Sequence, residues 1–280
     1  EKDLCLPIRY VKFRVLDKQN NVIKPDSTIE VLNVDTNKQY WYHPKDKNGV
    51  LLLLGNYKVN SVEGLTSKGY EFSVTKDTEL VDVATDVCRV SGTCRIVGEK
   101  GGKYQILAFK TNSKMIYAYP EDGKYEMFLE AGVYNFIITY TDEKNSKEHT
   151  LVRQEVTVPD APYEKNFDIV AGSLSGQLTW KDGTSAMYGE SSLCLYSDGF
   201  ASGDITADLK ADGSFSFSYV PYGTYTMKLD DKDIGTVTIN SADKQQDYTI
   251  NGYQIAVVVK EANGEFAKDK WIRVEKDEKT

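Results

Sequence analysis

The sequence predicts an all-β chain built of tandem antiparallel sandwiches. Three observations carry this: apolar residues recur with period two, turn dipeptides punctuate the runs, and one spaced motif occurs three times. Phe215-Ser216-Phe217-Ser218-Tyr219 alternates, as do Tyr225-Thr226-Met227-Lys228-Leu229 and Val237-Thr238-Ile239. Tyr134, Phe136, Ile138 and Tyr140 share one parity. Alternation of this kind sends one set of side chains into a core and the other into water. No window shows a convincing helical stripe of period 3.6.

The turn pairs Asn48-Gly49, Asp122-Gly123 and Asp212-Gly213 each precede a short strand, then a Gly-x-Tyr step, then another strand. The steps are Gly55-Asn56-Tyr57, Gly132-Val133-Tyr134 and Gly223-Thr224-Tyr225. Each turn pair is expected to close a hairpin. Each glycine is expected to hold a conformation that other residues resist, and each tyrosine to start a strand and pack inward. A second echo sets Val90-Ser91-Gly92-Thr93-Cys94 against Leu174-Ser175-Gly176-Gln177-Leu178.

A period of about 80 residues suits a small sandwich. The expected units are 1–86, 87–170 and 171–250, each of about seven strands, with joints too short to be floppy. Residues 251–280 read as a partial fourth unit. Tyr253 to Val259 forms a strand, Glu261 to Gly264 a turn, and Trp271 to Val274 a second strand. Two strands bury no core of their own. Ile255, Val257, Val259 and Trp271 are therefore expected to pack on the third unit or on a neighbouring molecule. The open edges of 253–280 would offer a site for strand addition.

Asp212-Gly213-Ser214-Phe215-Ser216-Phe217 followed by Val220-Pro221-Tyr222-Gly223-Thr224-Tyr225 resembles the carboxypeptidase regulatory-like domain, a transthyretin-like sandwich. Gly172 to Leu178 fits the start of such a domain. The first unit is more similar to the collagen-adhesin B-type domain, through Gly55-Asn56-Tyr57-Lys58-Val59 and through Glu63 to Gly69-Tyr70. Together these resemblances cover most of residues 8–250. They imply a stalk, an adhesin segment or a pilus part. The Lys–Asn crosslink of many B-type domains is not expected: its lysine position falls on Val15 and no Asn lies between Tyr70 and Val83. The lead Glu1-Lys2-Asp3-Leu4-Cys5-Leu6-Pro7 is similar to the stretch after the lipidated Cys of Bacteroidetes surface lipoproteins. That implies an extracellular protein with a lipid anchor upstream of Glu1.

Composition narrows the chemistry. A net charge of −8, with no basic block, argues against sequence-independent nucleic-acid binding. No apolar run is long enough for a membrane-spanning helix. Only His43 and His149 are present, which excludes multi-histidine metal sites and leaves few general bases. Gly-x-Ser-x-Gly, a P-loop and Cys-x-x-Cys do not occur. Asp204, Asp208 and Asp212, and Asp230, Asp231 and Asp233, could ligate calcium, but Asp is also a routine turn residue and EF-hand spacing is missing. No catalytic residue, metal or cofactor is expected.

Tyr40-Trp41-Tyr42-His43 is the densest aromatic cluster. On a strand, Tyr40 and Tyr42 face one way, Trp41 and His43 the other. The second pair is either an exposed sugar- or protein-binding patch or is covered by a neighbouring domain. Cys88 and Cys94 lie too far apart along one straight strand to bond each other. Cys5 is expected to pair with Cys88 or Cys94, and Cys194 to face away from Leu193 and Leu195.

These readings predict a non-enzymatic structural or adhesive protein of a bacterial surface, with a protein or glycan partner. The alternatives are a carbohydrate-binding module centred on Trp41 and an accessory region of a larger secreted enzyme.

Overall fold

The computed structural model describes residues 7–23, 28–43, 48–62, 65, 69–99, 102–111, 113–144, 146–186, 191–200, 205–251 and 260–261. Cys5, Glu63, Asp204 and the expected strands at 253–259 and 271–274 lie outside them. Among the described residues every regular element is a strand, and no helix is long and apolar enough to cross a membrane. The chain is all-β.

In the first third of the chain β1 (Ile8–Leu16), β2 (Val22–Ile23), β5 (Val50–Leu53) and β8 (Leu80–Ala84) form one sheet, and β3 (Ile29–Asn33), β4 (Gln39–Tyr42), β6 (Gly55–Val62) and β7 (Tyr70–Val74) form another. The middle third repeats this with β9 (Val87–Ile96), β12 (Lys124–Glu130), β15 (Tyr163–Glu164) and β16 (Phe167–Ile169) facing β10 (Lys103–Phe109), β11 (Ile116–Ala118), β13 (Gly132–Thr141) and β14 (Glu148–Val158). The last third sets β17 (Ala171–Trp180), β20 (Asp208–Leu209), β21 (Ser214–Pro221), β24 (Asp243–Gln245) and β25 (Tyr248–Ile250) against β18 (Leu193–Tyr196), β19 (Ile205–Thr206), β22 (Gly223–Leu229) and β23 (Lys232–Ile239).

The topology is the same each time. The first strand lies centrally, paired antiparallel to a middle strand (β5, β12 or β21) and parallel to the last strands. Each third has its own apolar core, and Tyr57, Phe136 and Phe217 are among the largest fully buried side chains. The period-two residues Tyr134, Phe136, Ile138 and Tyr140 all point into the middle core.

Two expectations are corrected. Asn48-Gly49 and Asp122-Gly123 do not join paired strands; they carry the chain from β4 to β5 and from β11 to β12, which belong to opposite sheets. Asp212-Gly213 closes a hairpin between β20 and β21, and Asp122-Gly123 closes a two-residue turn in which Glu121 and Lys124 exchange backbone hydrogen bonds at 2.9 Å. The turn dipeptide sets the local backbone, but core packing decides which sheet the next strand joins. The second correction is Tyr219. It shares parity with Phe215 and Phe217, yet adopts a φ of 55° at a register shift and turns out of its own core, so that Val220 takes the inward place.

Candidate functional site

Two features could engage a partner: the aromatic edge strand of the first sandwich and the ends where sandwiches meet. In β4 the parity reading holds. Tyr42 is buried against Phe13, with ring centroids 5.5 Å apart, and Tyr40 is half-buried at 6.1 Å from Tyr57. On the other face Trp41 is 61% exposed, so the reading that a neighbouring domain covers it does not hold within this chain. His43 is half-buried. β4 is the edge of its sheet, and Trp41 sits in register with Glu30 of β3. The Glu30 carboxylate accepts hydrogen bonds from Ser61 Oγ at 3.1 Å and Asn60 Nδ2 at 3.4 Å. An indole face thus lies beside carboxylate, amide and hydroxyl groups on an open sheet.

The joints are short and packed. Two residues, Thr85 and Asp86, separate β8 from β9, and Val170 alone separates β16 from β17. Phe128 of β12 packs on the first core, and Tyr219 of β21 packs on the second. The Tyr219 ring lies 4.7 Å from Tyr140 and 5.1 Å from His149. Each joint also carries an ion pair, Lys18 with Asp160 and Lys147 with Asp208, the latter at 2.6 Å. His149 Nε2 is buried and finds no hydrogen-bond partner among the described residues. Burial, with Lys147 nearby, pushes its imidazole pKa below the ordinary 6.5. The sequence reading missed Phe128 and Tyr219; the available signal was that both lie four residues before a Gly-x-Tyr glycine.

The described acidic residues divide between turns, which hold Asp212, Asp230 and Asp231, and strands, which hold Asp208 and Asp233. Asp208 pairs with Lys147, while Asp212 accepts from Ser214 N and Oγ at 2.9 and 2.7 Å, which holds its carboxyl below the usual range. Asp230 and Asp231 both have positive φ and turn β22 into β23. Among the described residues no group of His, Cys, Asp and Glu could hold a metal ion.

Cys88 and Cys94 share β9, as expected, and both are buried. Burial pushes the Cys94 thiol up to about 12. Cys88 Sγ accepts from Gln19 Nε2 at 3.6 Å across the first joint. Cys194 is buried together with Leu193 and Leu195, so both faces of β18 are covered there.

No family model and no curated protein sequence matches this chain. Among solved structures it is similar to the Bacillus anthracis TIE protein, with 14% identity, 88% of this chain and 50% of that one covered, and a TM-score of 0.26. A streptococcal ancillary pilin gives 12% identity, 85% and 98% coverage and a TM-score of 0.27. BcpA, the major pilin subunit of Bacillus cereus, gives 13%, 87%, 99% and 0.23. The chain spans half the length of the Bacillus anthracis protein it matches. Scores this low carry no functional weight.

Proposed function

We propose that this chain is a non-catalytic stalk of a bacterial cell surface, built of sandwich units at 1–86, 87–170 and 171–250 stacked end to end. The observation that carries this reading is the pair of joints. Each links cores through one or two residues, and each is locked by an aromatic plug from the following unit and by an ion pair. Such joints resist bending, which is what holding a binding surface away from a membrane requires. The resemblance at Glu1 to Pro7 supports a lipid anchor upstream. Small-angle X-ray scattering tests the shape. A compact domain of this length would have a radius of gyration of about 19 Å. The stalk reading expects a clearly larger, salt-independent value, and a value near 19 Å overturns it. Cleavage of the native protein by protease added to intact cells tests the location.

A second reading, carbohydrate binding on the first sandwich, is favoured by one observation: the exposed Trp41 face beside Glu30, Asn60 and Ser61. Aromatic faces flanked by polar side chains suit the apolar face and hydroxyl rim of a sugar ring. Glycan-array binding that disappears in Trp41→Ala is the expected result; wild-type protein that binds no glycan overturns it.

A further inference from the structure

Strand register gives one outward position on each edge strand a common place in the repeat. Four residues after the Gly-x-Tyr glycine come Val59, Phe136 and Met227, paired with Val31, Ala108 and Leu195. Those partners pair in turn with Tyr40, Ile116 and Ile205 of β4, β11 and β19, all of which face a core. The next residue therefore faces water. It is Trp41, Tyr117 or Thr206, each exposed and each on a strand at the edge of its sheet. The third sandwich is built with Thr206, so the fold does not need an aromatic ring at this place.

The middle sandwich extends this position into a strip. Tyr117 is 48% exposed and lies in register with Leu107, which lies in register with Ile137. Leu107 and Ile137 each sit between two fully buried residues, so both face outward with Tyr117. The Tyr117 hydroxyl donates to Met115 Sδ at 3.4 Å. Tyr119, two residues along the chain, is 67% exposed, and Gln105 Nε2 donates to its hydroxyl at 3.1 Å. Gln105 is in turn paired with Thr139. None of these side chains carries a charge. The strip stays exposed with a neighbouring sandwich joined at each end. A stable protein interface takes roughly 20–30 residues a side. This strip is a few side chains wide, which suits a small ring system instead.

We propose that Tyr117 and Tyr119 form a carbohydrate-binding platform on the middle sandwich, separate from Trp41, which takes the C–H face of a neutral sugar. The phenol rings supply flat area with polar tips, which is what the apolar face and hydroxyl edge of a sugar require. Gln105 fixes the Tyr119 ring, and Thr139 adds a hydroxyl beside it. Because none of these groups is charged, an acidic sugar gains nothing there. Trp41 differs in this respect, since it lies beside the Glu30 carboxylate. The proposal goes beyond the reading of Trp41, and either site can fail without the other.

A glycan array that pairs neutral oligosaccharides with their sialylated or uronic-acid counterparts is the probe. Glycans lost in Trp41→Ala belong to the first sandwich. Neutral glycans that this variant keeps should weaken at least about tenfold when Tyr117→Thr and Tyr119→Ala are added. Tyr117→Phe with Tyr119→Phe keeps the rings and should retain most of the binding. Both tyrosines are exposed, so the melting temperature should hold. If the ring-deleted variant melts early instead, Gln105→Ala leaves both rings, releases Tyr119 and should lower affinity for the same glycans. A Trp41→Ala chain that binds nothing overturns the proposal and leaves the Trp41 reading standing. Undiminished binding without the two tyrosine rings overturns it too, as does preference for the acidic member of each pair. A wild type that binds no glycan overturns both.

Discussion

The tyrosine of the Gly-x-Tyr step has one role in the first and third sandwiches. Tyr57 donates its hydroxyl to Leu53 O at 2.9 Å and Tyr225 to Pro221 O at 2.7 Å. Each bond spans four residues and ties the incoming middle strand to the outgoing one. The glycine has two roles. Gly55 and Gly132 take φ of 151° and 140°, which side chains resist, whereas Gly223 does not have positive φ and instead lies under the Tyr225 ring, 3.4 Å from where a Cβ would sit. Tyr225→Phe keeps the packing and removes the hydroxyl bond. It should cost about 1 kcal/mol, measured by urea denaturation. Burial also pushes the Tyr134 and Tyr225 hydroxyls from 10 up to about 12. A folded-state pKa above the unfolded one means stability that is full below pH 10 and is lost as pH rises towards 12. Unfolding free energy should therefore fall across that alkaline window, and Tyr225→Phe should reduce the fall.

At the scale of elements, the Ser-Gly echo explains how each last strand docks. In β9 and β17 the backbone of the last strand crosses directly over the glycine. A Cβ on Gly92 would come within 2.0 Å of Lys165 O, and one on Gly176 within 2.0 Å of Gln246 O. Lys165 N donates to Ser91 O and Gln246 N to Ser175 O, at 2.9 and 3.0 Å. The next amide is then capped by a side chain: Thr93 N donates to Asn166 Oδ1 and Gln177 N to Asp247 Oδ1, both at 2.8 Å. The carbonyl contact divides the last strand, which is why β15 and β16, and β24 and β25, are separate. β8 runs unbroken along β1, which has no glycine. Gly176→Ala should force the two strands apart and cost about 1–3 kcal/mol, the range of an overpacked site. Unchanged thermal unfolding of Gly176→Ala would contradict this contact.

For the whole molecule the question is how strongly the sandwiches are coupled. Tyr219 makes two ring contacts across the second joint, each worth about 0.5–1.5 kcal/mol beyond burial. Tyr219→Ala should weaken the coupling by about 1–2 kcal/mol and split one calorimetric transition into two. The same joint should be acid-sensitive. His149 is held neutral by burial and by Lys147, with Asp142 and Asp208 opposing only in part. Its folded pKa lies below the unfolded value, so its contribution is present above pH about 6.5 and is lost as pH falls through the folded pKa. His149→Phe should flatten the acid side of the melting profile. An unchanged acid limb would place the sensitivity elsewhere.

Period-two alternation and repeated turn dipeptides were enough to read the strands, because a half-buried strand must alternate and a tight turn needs residues that tolerate positive φ. The Tyr40 and Tyr42 parity was legible for the same reason, and so was the inward tyrosine of each Gly-x-Tyr step. Sheet assignment was not, since Asn48-Gly49 reads alike whether the next strand pairs with its neighbour or crosses to the opposite sheet; only the shape of the filled core distinguishes the two. Nor was the outward turn of Tyr219, whose alternation with Phe217 is broken by a bulge. Phe128 and Tyr219 differ in side chain and look unremarkable in isolation. Their common role depends on which face of which strand meets the neighbouring sandwich, a relation between residues far apart in the chain that local pattern does not carry.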